Sequence, residues 1–90
     1  MEMLEILKGR LPEGLEIVKV KNRSGRSQTE ILFRYDGVEF TSYLHKTCAP
    51  GCENEVCDNV ICGVLMAVAL KQGDMEKAKY WMDRQLNLGA

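Results

Sequence analysis

The sequence is sparing with the groups that carry catalysis. It has one histidine, His45, and no CxxC pair, glycine-rich phosphate loop or paired-carboxylate arrangement. A thiol hydrolase needs a base beside its nucleophile and an acid to orient that base. His45 and Cys48 stand only three positions apart and no orienting acid accompanies them. The inventory therefore points away from an enzyme; a thiol-based enzyme or redox protein is the third-ranked expectation.

Excess charge of one sign is also missing. Twelve Lys and Arg against 13 Asp and Glu leave a formal net charge of −1, so bulk charge does not make the chain a polyanion binder. Long apolar runs are missing too. The longest, Val60 to Leu70, falls well short of the roughly 20 residues that cross a bilayer, and no membrane partner is expected. The opening MEMLEILKGRL has two acids and no basic leader ahead of an apolar stretch. It does not read as a signal peptide, and a cytoplasmic location is the resulting expectation.

What is present describes a small globular chain. Ninety residues with 46% hydrophobic and 28% charged content fit one domain over 1–90. A chain of this size buries only about 60–65% of its unfolded surface, so a metal, a disulfide or a homodimer contact would add to a thin margin.

Met3, Leu4, Leu7 and Leu11 follow helical spacing, and a short helix over 2–9 is predicted, ended by Gly9 and Pro12. LEIVKVK alternates as a strand does, with Val18 and Val20 on one face and Lys19 and Lys21 on the other. TEILFRY-DG-VEFTSYL is two strands about Asp36-Gly37, the pair that a type I′ hairpin turn favours. A two-residue turn sets the register. Phe33 then opposes Phe40, Arg34 opposes Glu39 and Tyr35 opposes Val38; Ile31, Phe33, Tyr35, Val38 and Phe40 share one face. Leu32 and Tyr43 fall on the outer face. NVICGVLMAVALKQ is apolar nearly all round, as in a helix covered on both sides. Gly73 suits its stop, and Asp74 suits the cap of a last helix to Leu86 with Met75, Ala78, Met82 and Leu86 as its buried stripe and Tyr80 and Trp81 flanking. The predicted fold is α+β in the order α-β-β-β-α-α, a three-stranded antiparallel meander with the helices packed on one face.

All four cysteines and the histidine lie in HKTCAPGCENEVCDNVIC. Zinc takes four N or S ligands in a tetrahedron, and the Pro50-Gly51 turn would bring Cys48 and Cys52 together. Cys57 and Cys62 are five positions apart, about 140° around a helix, and cannot both face one ion from regular helix. Either Cys57 precedes the helix with Asp58 as its cap, so that all four cysteines converge, or the ligands are His45, Cys48, Cys52 and Cys57 with Cys62 in the core. The second set is preferred, as a structural zinc site. Unliganded thiols, paired disulfides and an iron–sulfur cluster are the alternatives.

Lys19, Lys21, Arg23 and Arg26 are free of acids between Ile17 and Gln28. They are candidate contacts for a partner or a nucleic acid, or a solvated turn whose lysines discourage strand pairing. The α-β-β-β-α order is similar to that of double-stranded-RNA-binding domains, which carry lysines for phosphates at the start of the last helix. The matching stretch here, CENEVCDN, is acidic, and RNA binding is not carried over. ALKQGDMEKAKYWMDRQL looks like the helical hairpin of tetratricopeptide repeats, but covers half of one repeat, once, where a solenoid stacks about three. The resulting expectation is a small non-catalytic interaction protein, an adaptor or inhibitor of a macromolecular partner, with a protein as first partner. Nucleic-acid binding through the basic loop is the second expectation.

Overall fold

A computed structural model describes residues 2–88. The elements run α1 (Met3–Lys8), β1 (Glu16–Lys21), β2 (Gln28–Tyr35), β3 (Val38–His45), α2 (Glu53–Lys71) and α3 (Met75–Leu86). The strands form one antiparallel sheet in the order β1-β2-β3. Helix α2 lies beneath the sheet, mainly under β3, with α1 beside it; α3 packs on α2 and not on the sheet. The predicted α+β order and meander are the observed ones.

The hairpin follows from its turn. Asp36 and Gly37 both take positive φ, 51° and 76°, as a type I′ turn requires, and its twist matches that of the strands it joins. The register then runs unbroken from Tyr35↔Val38 through Arg34↔Glu39 and Phe33↔Phe40 to Gln28↔His45. Arg34 closes on Glu39 at 2.6 Å on the outer face. Ile31 and Phe33 are fully buried, and Tyr35, Val38 and Phe40 pack at the margin of the same core. Leu7, Leu44, Val64, Val68 and Cys57 complete its centre.

Three expectations change. The register of β1 shifts between Ile17 and Lys19, so Ile17 opposes Phe33 and Val20 opposes Ile31. Val18 sits in the bulge and is exposed, while Ile17 joins Val20 on the half-buried face. One extra residue reverses the alternation on either side of it. Lys19 and Lys21 keep the outer face.

Helix α2 begins at Glu53, well before the predicted Asn59. The APG turn closes with Cys52 N–H on the Ala49 carbonyl at 3.2 Å, and Glu53 and Glu55 occupy the first turn, where the helix dipole favours acids. Asp58 therefore lies inside the helix. It accepts both Arg10 hydrogen bonds, 2.8 and 2.6 Å, and ties the end of α1 to α2.

Helix α3 is capped as predicted, Asp74 Oδ1 accepting from Lys77 N–H at 3.1 Å, but it is rotated. Ala78, Trp81 and Gln85 turn inward, while Met75, Met82 and Leu86 are exposed, Leu86 to 74%. The docking is set by Gln85, whose Nε2 donates to the Asn59 carbonyl and Oδ1 at 3.1 and 2.9 Å in the gap over Gly63. A polar side chain with two good acceptors outcompetes a methionine that nothing covers.

Candidate functional site

The cysteine stretch is divided between loop and helix. Cys48 follows β3 and its Sγ lies 3.5 Å from Met3 Sδ. Cys52 stands at the N-terminus of α2. Cys57 is fully buried one turn further on, its Sγ 3.8 Å from the Met3 carbonyl oxygen. Cys62 is buried near Arg84 and Trp81, about 140° around the helix from Cys57. His45 ends β3 with its side chain exposed, and shares a cavity with Cys52. Since α2 already runs through Cys57, the arrangement in which Cys57 precedes the helix and all four cysteines converge does not occur. Among the described residues no three of His, Cys, Asp or Glu stand where they could hold a metal ion, and the four cysteines are free thiols. Within the preferred set of His45, Cys48, Cys52 and Cys57, no three form such a group.

Three of the four thiols, Cys48, Cys57 and Cys62, are pushed toward the protonated form. Burial pushes the Cys57 thiol above the ordinary thiol range, only partly opposed by Arg10. Burial likewise raises Cys62, against the pull of Arg84. Cys48 is raised by burial and then by Glu53 and Cys52. Such thiols are poor nucleophiles at neutral pH. A folded-state pKa above the unfolded value of about 8.5 means that the unfolded chain loses its protons first. The stability these thiols contribute is therefore complete below about pH 8.5 and lost as pH rises through the raised values. Urea midpoints should fall from pH 8 to pH 10, and Cys57→Ala should flatten that fall. An unchanged pH profile in Cys57→Ala would show that Cys57 is not among its causes.

The basic loop gives a more defined site. Lys21, Arg23 and Arg26 line a cavity of about 270 Å³ together with Gln28, Glu30 and Tyr43. Lys19, one strand position beyond Lys21 on the same face, does not line it. Lys46 fastens the loop, its Nζ donating to the Arg23 carbonyl at 2.8 Å. Glu30 forms the floor, 3.8 Å from Lys21 Nζ and 3.5 Å from the Tyr43 hydroxyl that donates to it. Three cations thus face one acid. The basic residues are legible in the sequence as a cluster, and Tyr43 as an outer-face residue; that the two meet is a finding of the structure. The signal was there, because the Asp36-Gly37 turn fixes Glu30↔Tyr43 as a pair and the next strand over places Lys21 against Glu30.

No protein-family model matches the chain, and no curated protein or solved structure matches it either. Its reading rests on its own geometry. No helix among the described residues is long and apolar enough to cross a membrane.

Proposed function

We propose that the chain is a small non-catalytic interaction module, an adaptor or inhibitor that receives an acidic segment of a protein partner in the basic cavity. The observation that supports this reading is the convergence of Lys21, Arg23 and Arg26 on one concavity walled by Tyr43. Arginine forks bind carboxylates in bidentate fashion, and an exposed tyrosine adds contact area at low entropic cost. The raised thiols add no nucleophile to set against it.

A second reading, single-stranded nucleic acid, draws on the same aromatic beside cations: phosphates on the arginines, a base on the tyrosine ring. Titration with a polyglutamate peptide and with a labelled oligonucleotide, each across a salt series, separates the two. Arg23→Ala with Arg26→Ala should weaken the bound ligand by about 1–2 kcal/mol, roughly 5- to 30-fold. For an oligonucleotide the salt slope should also fall by about 1.4, the value for two lost phosphate contacts on a single strand. Binding of neither ligand, or unchanged affinity in the double variant, overturns the proposal.

A further inference from the structure

The two edges of the sheet are built differently. Strand β1 is defended as edge strands usually are, by a bulge and by Lys19 and Lys21. Strand β3 has neither. It pairs with β2 without a register shift over its whole length and carries one charged residue, Glu39. In a two-residue hairpin the residues flanking the turn exchange both hydrogen bonds, so Val38, Phe40, Ser42 and Leu44 direct their main-chain groups to β2. Lys46 continues that parity, its N–H meeting the Ser27 carbonyl at 3.0 Å. The N–H and C=O of Glu39, Thr41, Tyr43 and His45 therefore point outward. Only the Glu39 carbonyl finds a protein partner among the described residues, Lys71 Nζ at 3.0 Å.

Beside this edge runs a groove. Helix α2 lies antiparallel under β3, with Lys71 at the Glu39 end and Val56 and Val60 at the Tyr43 end. Val56, Val60, Ala67 and Lys71 fall within about 60° on one flank of the helix. The first three are half-buried, so an apolar floor follows the open edge. The groove widens into the largest cavity among those described, about 530 Å³, between Tyr43, His45, Val56 and Val60, with Glu55 on its rim. No basic residue lies between Thr47 and Leu70.

We propose that β3 and this flank of α2 form a docking site for an extended segment of a partner protein, which adds to the sheet as a fourth strand. Its main chain pairs with Thr41 and Tyr43. Alternate apolar side chains rest on Val56, Val60 and Ala67, and a basic residue at one end meets Glu55. This is strand addition, where the ladder supplies affinity and the pockets supply selectivity. A second copy of β3 does not suit the edge. Strands pair about 4.8 Å apart, and each copy carries α2 beneath that strand, whereas packed helices need about 8–10 Å between axes. It would also set the Glu55 rims against one another.

The probe is a short labelled peptide that alternates valine with threonine between terminal lysines, followed by fluorescence anisotropy and by amide spectra of the labelled protein. Saturable binding should shift and protect the Thr41 and Tyr43 amides. Thr41→Pro deletes an outward N–H and leaves the β2 ladder whole; it should weaken binding by about tenfold or more. Val60→Lys, which puts a cation on the groove floor, should do the same if Thr41→Pro does not fold. N-methylation of the peptide on the amides that face β3 should abolish binding, and methylation of the alternate amides should not. Absence of saturation at millimolar peptide overturns the proposal. So does full affinity in the variants, a shift pattern centred on Arg23 and Arg26, or a β3-mediated dimer in sedimentation.

Discussion

Phe33→Ala is expected to lower the unfolding free energy by about 3–5 kcal/mol. Phe33 is fully buried at the centre of β2, opposite Ile17 on one side and Phe40 on the other. Removing its ring gives up the transfer energy of the aromatic surface and leaves a cavity between two strands that are held in register by their ladders and cannot close on it. A chain of 90 residues has a total stability of about 5–13 kcal/mol at the usual share per residue, so the loss is about a quarter or more of the whole. Thermal unfolding followed by circular dichroism should show a midpoint lowered by at least about 12 °C. Tyr43→Ala, on the opposite face of the sheet and 52% exposed, should change stability by no more than about 0.5 kcal/mol. Similar effects from the two substitutions would contradict the assignment of faces.

The second large effect is electrostatic. Cys57→Asp places a carboxyl where burial already pushes a thiol up, and desolvation penalises either anion in the same direction. The Met3 carbonyl oxygen faces the position and is itself an acceptor. Arg10 pulls the other way, but its guanidinium is already bonded to both Asp58 oxygens. The carboxyl should therefore titrate above its unfolded value of about 3.9. With the folded value raised, the variant keeps its stability below about pH 3.9 and loses it as pH rises, by about 1.4 kcal/mol per unit, reaching up to about 4 kcal/mol at pH 7. Cys57→Ala removes the sulfur without adding charge, and its deficit should stay flat over the same range. The readout is the difference between the two variants in urea midpoint from pH 4 to pH 7; a constant difference would mean that Arg10 turns to neutralise the site.

The two substitutions probe parts of the molecule that were unequally legible. Phe33 was readable because several local signals agreed. The Asp36-Gly37 turn set a register, the register paired Arg34 with Glu39, and the alternation put Ile31, Phe33 and Phe40 on one side. The Gly73-Asp74 boundary was readable for the same reason, a stop and a cap in adjacent positions. The position of Cys57 was less so. Glu53 to Asp58 is mostly polar and lacks helical periodicity, so the local pattern puts the start of α2 at Asn59. What extends the helix back is non-local: Arg10 holds Asp58, and the pocket under Met3 accepts Cys57. With that first turn in place, Cys57 and Cys62 face different neighbours, and the arrangement in which all four cysteines converge is not formed.

The remaining corrections share this character. The bulge at Val18 has a local trace, the adjacent apolar pair Ile17-Val18 that breaks the alternation of LEIVKVK, but which of the two leaves the core face is settled by how β1 meets β2. The rotation of α3 depends on Gln85 finding Asn59 over the gap at Gly63, a choice that hydrophobic spacing along α3 cannot express. The basic cavity needs the strand order to bring Tyr43 across from Glu30 and Lys21. By itself the sequence determined the elements, the hairpin register and the face that becomes the core, because turn geometry and side-chain period act over a few residues. Only the tertiary structure decided where α2 begins, which side of α3 is covered and which edge of the sheet stays open. Those outcomes rest on contacts between residues far apart in the chain, whose energies exist only once the layers have met.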